Sequence, residues 1–189
     1  MIVLPVLVRV YELDANDDRT VQGDATDVVR SNIEEAVRAQ ASLRRLRVFS
    51  PNDLKGQDES VRLLFARLWR WTENASIEIA AQKTGHRNFG LHSVGDWRFR
   101  PSPAALSEAL AADTALTVMI SDTHLTVGYA SWKQIGVACL LDLHDGRMIW
   151  CDALVDAWRS LKNPAIAQEA VHELLAGLDA PPPPTASTK

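Results

Sequence analysis

Asp122 and His124 lie two residues apart in an apolar stretch and could begin an acid–base or metal-binding site. Side chains alternate across a β-strand, so a strand over residues 115–127 would place both on one face. A carboxylate beside an imidazole can transfer protons or bind a metal ion. No third group completes such a site in the sequence, and strand ends that meet solvent usually carry polar residues. The pair is therefore interpreted as structural. A small-molecule hydrolase or metal-dependent enzyme that uses this region is the alternative function.

Two further groups combine carboxylates with histidine. Asp142, His144 and Asp145 lie close together, but Asp-Leu-His-Asp-Gly is also typical of a tight hairpin, which is the favoured interpretation. Glu169 and His172 share a helix face, yet the second histidine of a zinc-protease helix is missing, so both are interpreted as solvated. The chain has no Gly-x-Ser-x-Gly elbow and no glycine-rich loop that leads from a strand into a helix. We therefore predict no catalytic residue, no cofactor and no metal site.

The tryptophans are the more unusual feature, with six in 189 residues. Trp69 and Arg70 lie on a predicted helix, and Trp97 and Arg98 belong to a segment in which aromatic residues alternate with arginines. Tryptophan and arginine are enriched in interface hot spots, so these four are the candidate partner-binding residues. The alternation also suits base stacking and phosphate contact, but the net charge of −4 argues against nucleic acid. For the segment of Trp97 and Arg98, the favoured interpretation is that the aromatics cover a core edge while the arginines face water; for Trp69, a helix buried over most of its girth is the alternative to a partner contact.

The two cysteines, Cys139 and Cys151, flank the predicted hairpin. The favoured hairpin has a short loop that places Asp142 opposite Arg147 and therefore pairs Cys139 with Trp150. In that register the two sulfurs lie on opposite faces of the sheet, so we predict free, buried thiols. This favoured loop has four residues, Leu143–Gly146, and a two-residue loop at Asp145-Gly146 would leave the sulfurs on opposite faces as well. A three-residue loop would set the cysteines directly opposite each other and permit a disulfide, so the register decides the question.

The composition is that of one globular domain. Of the 189 residues, 47% are hydrophobic and 23% are charged. We predict a single α/β domain over residues 1–178 and a disordered, proline-rich tail over 179–189. The apolar opening, Ile2 to Val10, is about half as long as a membrane-spanning helix, and it lacks the basic region and the small-residue cleavage site of a signal peptide. No transmembrane segment is therefore predicted in this chain.

Hydrophobic periodicity predicts the order strand, helix, strand, helix, helix, three-strand meander, helix. A chain of this order folds into a mixed sheet of about five strands with helices packed on its faces, an α/β or α+β architecture. The predicted strands are 2–11, 46–50, 115–127, 134–143 and 147–155, and the predicted helices are 28–44, 59–81, 103–113 and 164–178.

The first predicted strand is apolar on both sides, which indicates cover by helices on both faces. Strict alternation places Leu4 on the same side as Val6, with Val3 on the other. Thr26, Ser102 and Asn163 are predicted to cap the helices that follow them. Proline follows Ser102 and Asn163, as is common at the first helical position.

Three segments resemble those of a bacterial family. Ile2–Val6 is an apolar strand with a proline near its middle, 106–121 is a helix that ends in Ala-Asp before a strand, and 136–150 is a hairpin whose second strand reaches a tryptophan. In this order the segments resemble the amino-terminal type of domain in curli secretion channels and TolB. They are more similar to a set of uncharacterised proteobacterial envelope proteins, mostly lipoproteins. The resemblance covers residues 2–175.

This resemblance implies a non-catalytic periplasmic module of the kind that is built into rings or envelope complexes. We therefore expect a binding or scaffolding module of the bacterial cell envelope, in the periplasm or at the periplasmic face of the outer membrane. It would act through protein partners or self-association, without nucleic acid. The lipoprotein signal and its acylated cysteine do not occur in these 189 residues, so any membrane tether is expected from an upstream segment. The resemblance transfers no catalytic residue.

Overall fold

The computed structural model describes residues 1–13, 19–83, 97–125, 131–156 and 160–179. None of the helices in these ranges is long and apolar enough to cross a membrane. Apart from Asp179, the tail predicted over 179–189 lies outside the described residues.

Strands and helices alternate before a three-strand meander and a last helix, which confirms the predicted α/β class. The first predicted strand is divided in two, and a short extra strand precedes the first helix. The strands are β1 (Ile2–Val3), β2 (Leu7–Leu13), β3 (Arg19–Val21), β4 (Arg47–Val48), β5 (Thr114–Leu125), β6 (Ser131–Asp142) and β7 (Met148–Asp156). The helices are α1 (Gly23–Leu43), α2 (Glu59–Lys83), α3 (Ala104–Leu110) and α4 (Pro164–Leu174), with short 3₁₀ helices at Pro51–Leu54 and Ala176–Asp179.

The described strands form one mixed sheet. β1 and β2 pair in parallel with β5, one after the other along it. On their outer side, β4 pairs with β1 in parallel and β3 pairs with β2 in antiparallel orientation. β5, β6 and β7 form an antiparallel meander that continues the sheet in the other direction. The parallel pairs require long crossover connections, which the helices between β3 and β5 provide.

Pro5 lies at the break between β1 and β2. The pairing with β5 shifts by one residue across this break, as at a bulge. A proline has no N–H to donate to a ladder, so it is tolerated where the pairing is interrupted. The shift exchanges the two faces: Val3 packs in the same cluster as Val6, whereas Leu4 packs on the opposite side of the sheet. The predicted alternation, with Leu4 beside Val6, is therefore wrong.

Helices cover both faces of the sheet, as the two-sided hydrophobicity of the strands predicts. α1 and α4 pack on one side, here named the α1 face, and α2 and α3 pack on the other, the α2 face. The sheet residues buried on the α1 face include Val6, Val8, Val10, Leu116, Val118 and Ile120. Those buried on the α2 face include Ala115, Met119, Val137, Cys139, Leu141 and Met148.

Two of the predicted helix caps involve residues that precede a proline. Asn163 caps α4 as predicted, because its side chain accepts a hydrogen bond from Ala165 N at 3.0 Å. Ser102 is not the N-cap of α3, a position that Pro103 takes. The Ser102 hydroxyl accepts a long hydrogen bond from Ala104 N at 3.4 Å and donates to the backbone oxygen of His144 at 2.8 Å, so it ties the start of the helix to the hairpin.

Thr26 does not cap α1, which begins earlier than predicted, at Gly23. The threonine lies in the first part of the helix and is buried. Its hydroxyl oxygen accepts a hydrogen bond from Val10 N at 3.1 Å, on the outer side of β2. The side chain therefore satisfies a backbone donor of the strand rather than one of the helix.

The turn between β6 and β7 is the predicted one. Asp142 N donates to Arg147 O at 2.8 Å, and Gly146 N donates to Asp142 O at 3.0 Å. The Asp142 carboxylate accepts a hydrogen bond from His144 N at 2.7 Å. This geometry confirms that the Asp-Leu-His-Asp-Gly segment builds a hairpin, because an aspartate that bonds the backbone two residues ahead stabilises such a turn.

The prediction that the cysteines are free is wrong. Next to the correctly predicted turn, Ile149 is the extra residue of a β-bulge. The bulge shifts the pairing by one residue, so Cys139 lies opposite Cys151 rather than opposite Trp150. The two Cα atoms are 4.1 Å apart and the sulfurs form a disulfide. The loop length was correct, but it fixes the register only up to the first bulge.

Candidate functional site

α2 carries two stripes of residues at helical spacing. Positions separated by three, four and seven residues share one face of a helix. The spacing of Leu68, Thr72, Ala75 and Ile79 predicts that they share the inward face of this helix, and all four are buried. The outward stripe consists of Leu63, Ala66, Arg67, Arg70 and Asn74, all exposed.

The segment over residues 97–100 lies beside α2 and is held by the hairpin. Met148 N donates to Trp97 O at 2.9 Å, and Phe99 N donates to Gly146 O at 2.8 Å. The Phe99 ring is only 3% exposed and meets Trp71 of α2 edge to face, with ring centroids 5.7 Å apart. The arginines on either side of Phe99 are exposed. The predicted alternation of inward aromatics and outward arginines is confirmed at these positions.

An open groove of about 480 Å³ lies between the outward stripe and this segment. It is lined by the outward stripe together with Trp71, Phe99 and Arg100, and we name it the arginine groove. Trp71 and Phe99 supply aromatic surface, and Leu63 adds an aliphatic side chain that is 57% exposed. The groove therefore combines apolar contact surface with cationic side chains.

The three arginines of the groove, Arg67, Arg70 and Arg100, all have exposed side chains. Their guanidinium groups make no hydrogen bond or ion pair with any residue that the structure describes. Arg98, next to the groove in sequence, instead pairs with Asp145 at 3.3 Å. The chain as a whole carries 24 acidic against 20 basic residues, so the groove is a local concentration of positive charge on an acidic protein. Its guanidinium groups are available for carboxylates or other anions.

Of the four predicted partner-binding residues, the described part of the chain places Arg70 alone in the lining of the groove. Trp69 is half-buried, with its ring centroid 6.4 Å from that of a phenylalanine on α2. Trp97 is half-buried against the core of the α2 face, and Arg98 is exposed. Their assignment to partner binding stays a prediction.

Sequence reasoning did not identify Arg67, Trp71, Phe99 and Arg100 as members of one site. The signal for Arg67 was its spacing of three residues from Arg70, which places both on one helix face. The contact between Trp71 and Phe99 joins segments far apart in the chain, and no local pattern reports such a contact.

Gly146 holds the 97–99 segment against the hairpin. Its φ is +77°, and a Cβ added there would lie 2.5 Å from the backbone oxygen of Phe99. We expect Gly146→Ala to lower the free energy of unfolding by about 2 kcal/mol, because the left-handed backbone disfavours a side chain and the segment must also move away. Urea unfolding measures the change.

Gly56→Ala is the matched control. Gly56 also has a left-handed φ, +84°, but an added Cβ would meet nothing within 4 Å. This variant should lose only about 1 kcal/mol, the conformational part of the effect. Equal losses in the two variants would show that the 97–99 segment does not press on the hairpin.

Asp122 and Gln134 form a buried polar pair on the α1 face. They are direct partners on β5 and β6 and are 1% and 0% exposed. Gln134 Nε2 donates to Asp122 Oδ1 at 3.1 Å, while Asp122 Oδ2 and Gln134 Oε1 have no hydrogen-bond partner among the described residues. Burial raises the pKa of Asp122, opposed by the hydrogen bond from Gln134 and by the charges of His124 and Lys162. Asp122 is thus a core residue, not the solvent-facing one that its place in the sequence indicated.

The alternative enzyme site requires Asp122 to reach a substrate or a metal ion. Its burial and its bond to Gln134 place the carboxylate in the protein core instead. His144 lies elsewhere, where its Nε2 is 3.0 Å from the exposed carboxylate of Asp113. Within the described ranges, no group of three or more histidine, cysteine, aspartate or glutamate residues could hold a metal ion. Glu169 and His172 are exposed on α4, as predicted.

A second cavity, of about 290 Å³, lies where Pro5 interrupts the first strand. Its lining includes Glu34 and Arg38 of α1 and the apolar side chains of Val6 and Phe49. The two charged residues pair with each other at 3.1 Å. The charged side chains that the structure describes in this cavity are therefore paired with each other, in contrast to those of the arginine groove.

Comparison with solved structures finds two similar bacterial proteins. The chain is similar to lipoprotein GNA1162 from Neisseria meningitidis, with 14% identity over 94% of both chains and a TM-score of 0.39. It is also similar to the C-terminal domain of LpoB from Salmonella enterica, with 14% identity over 82% of this chain and 80% of that one and a TM-score of 0.32. No family model and no curated protein matches the chain.

Proposed function

We propose that this chain is a protein-binding module of the bacterial cell envelope and that its partner docks in the arginine groove. The observation that carries the proposal is a set of three exposed arginines, without an anionic partner among the described residues, in one groove with half-buried Trp71 and exposed Leu63. Arginine next to aromatic side chains is the combination that dominates the energetics of protein interfaces.

The disulfide supports the envelope location. Disulfides persist in oxidising compartments such as the periplasm and are rare in the reducing cytosol. The Cys139–Cys151 bond links neighbouring strands whose side chains lie in or next to the core of the α2 face. A structural bond of this kind is expected in a periplasmic protein.

Photocrosslinking in the bacterium that encodes the protein tests the proposal. A small diazirine amino acid at Leu63, in the groove, should yield an adduct with an envelope protein. The same group at Leu43, which is 77% exposed at the end of α1, is the matched control and should yield none. Arg70→Glu should abolish the Leu63 adduct. Equal labelling from both positions, or none from Leu63, would contradict the proposal, as would recovery of the protein in the cytosolic fraction.

A further inference from the structure

We infer that the element which docks in the arginine groove is an acidic protein segment that also carries an apolar side chain. The inference rests on the proposed function and names the chemistry of the partner. It follows from two separate properties of the groove, its charge and its apolar surface.

The charge selects carboxylates. Arg67 and Arg70 are one helical turn apart on α2, and Arg100 extends from the other side of the groove. Guanidinium groups bind carboxylates through paired, charge-assisted hydrogen bonds. No carboxylate of the described residues occupies them, so an incoming acidic segment would displace only water.

The apolar surface of the groove favours a partner segment that carries an apolar side chain between its carboxylates. Trp71 and Phe99 meet edge to face in the lining, and Leu63 extends the same surface toward solvent. Purely ionic contacts at an exposed surface contribute little affinity because water and salt screen them. An aromatic or aliphatic residue of the partner would supply the contact that excludes water from the centre of the interface.

The charge of the rest of the protein argues against a partner with an extended anionic surface. The groove holds three of the 20 basic residues of the chain. The rest of the protein therefore has 17 basic residues against 24 acidic ones. A phospholipid bilayer or a nucleic acid presents negative charge over a wide area and would meet this acidic surface as well. A short segment with local negative charge enters the groove without that repulsion.

Synthetic polypeptides of defined chemistry test the inference. The probes are a fluorescent random copolymer of glutamate and tyrosine, polyglutamate of the same length and polylysine, with binding followed by fluorescence anisotropy. The copolymer should bind several-fold more tightly than polyglutamate, and polylysine should not bind. Arg70→Glu should weaken binding of the copolymer at least tenfold. Leu63→Ser should reduce its advantage over polyglutamate.

Arg45→Glu is the charge-matched control. Arg45 is exposed in the turn after α1, lies outside the groove lining and has no ion pair among the described residues. Its reversal changes the net charge by the same amount as Arg70→Glu, so it should alter copolymer affinity less than twofold. Equal losses in the two variants would mean that overall charge, not the groove, attracts the copolymer and would overturn the inference.

Two other outcomes separate the inference from the proposed function. The acidic-segment inference would be overturned if the protein bound phosphatidylglycerol vesicles through Arg70 and did not bind the copolymer. In that case, crosslinking from Leu63 to a protein would still support a docking site in the groove. A Leu63 adduct with twice the mass of the chain would identify a second copy as the occupant and would likewise overturn it. Loss of the Leu63 adduct despite copolymer binding would count against the proposed function alone.

Discussion

Breaking the Cys139–Cys151 disulfide is expected to lower the free energy of unfolding by about 3 kcal/mol. The bond joins residues separated by 12 positions, and the loss of chain entropy in an unfolded loop of about this length gives that magnitude. Cys139 and Cys151 lie in the core of the α2 face with Ala75 and Ile79 of α2, so reduction should also loosen the side of the sheet that carries the groove. Urea unfolding with and without reductant measures the effect.

The double variant Cys139→Ala, Cys151→Ala provides the control. It should unfold like the reduced protein and should not respond to reductant. Thiol titration of the denatured wild-type protein, without reductant, should find no free thiol, and the intact mass should be lower by two hydrogens. Titration of both cysteines as thiols, with unfolding independent of reductant, would contradict the bonded pair.

Local sequence patterns predicted the elements whose formation depends on near neighbours. The inward stripe of α2, the cap of α4 at Asn163 and the hairpin turn at Asp142 are all found where the residues indicated. Each depends on interactions within about one turn of helix or one hairpin, and the residue types at those spacings determine them.

Register and pairing could not be predicted in the same way. Pro5 and Ile149 each mark a one-residue shift, and each shift moves the following side chains to the opposite face. Both faces of this sheet are covered by helices, so an apolar residue is equally suitable on either side. The sequence pattern therefore does not reveal on which face a residue lies. For this reason the two cysteines were predicted on opposite faces, whereas they lie opposite each other and form a disulfide.

The candidate site was predictable only in part for a related reason. Arg70 was identified from its residue type and its neighbours, but the groove forms because Phe99 packs on Trp71 across a large separation in sequence. The burial of Asp122 was not predictable either. A polar residue in a strand is expected at the surface unless a partner in the core, here Gln134, forms a hydrogen bond with it. Which residues meet in the core depends on the whole sheet.

Replacing Asp122 by asparagine is expected to raise the free energy of unfolding at neutral pH by about 2 to 3 kcal/mol. A buried acceptor without a donor costs about 1 to 3 kcal/mol, and Asp122 Oδ2 and Gln134 Oε1 are two such atoms. An asparagine at this position keeps an oxygen for Gln134 Nε2 and presents an amide donor to Gln134 Oε1. The two side chains could then exchange reciprocal hydrogen bonds, as a neutral carboxylic acid would with the same amide.

The gain should depend on pH with a definite sign. Burial raises the pKa of Asp122 in the folded protein above its ordinary value of 3.8, so folding favours the protonated acid. In the wild-type protein this contribution to stability is fully present below the ordinary pKa and is lost as pH rises through the raised one. The advantage of Asp122→Asn should therefore be largest at neutral pH and should shrink as pH falls toward 3.8. Urea unfolding of both proteins across this range measures the difference.

Asp27→Asn is the control, because Asp27 is an exposed carboxylate on α1 that pairs with Arg30 at 2.8 Å. Exposed ion pairs contribute little, so this variant should change stability by about 0.5 kcal/mol or less. A difference between Asp122→Asn and the wild type that does not vary with pH would show that folding leaves the pKa of Asp122 unchanged. A loss of stability at neutral pH would show that the core stabilises the charged form of Asp122, and it would contradict the prediction.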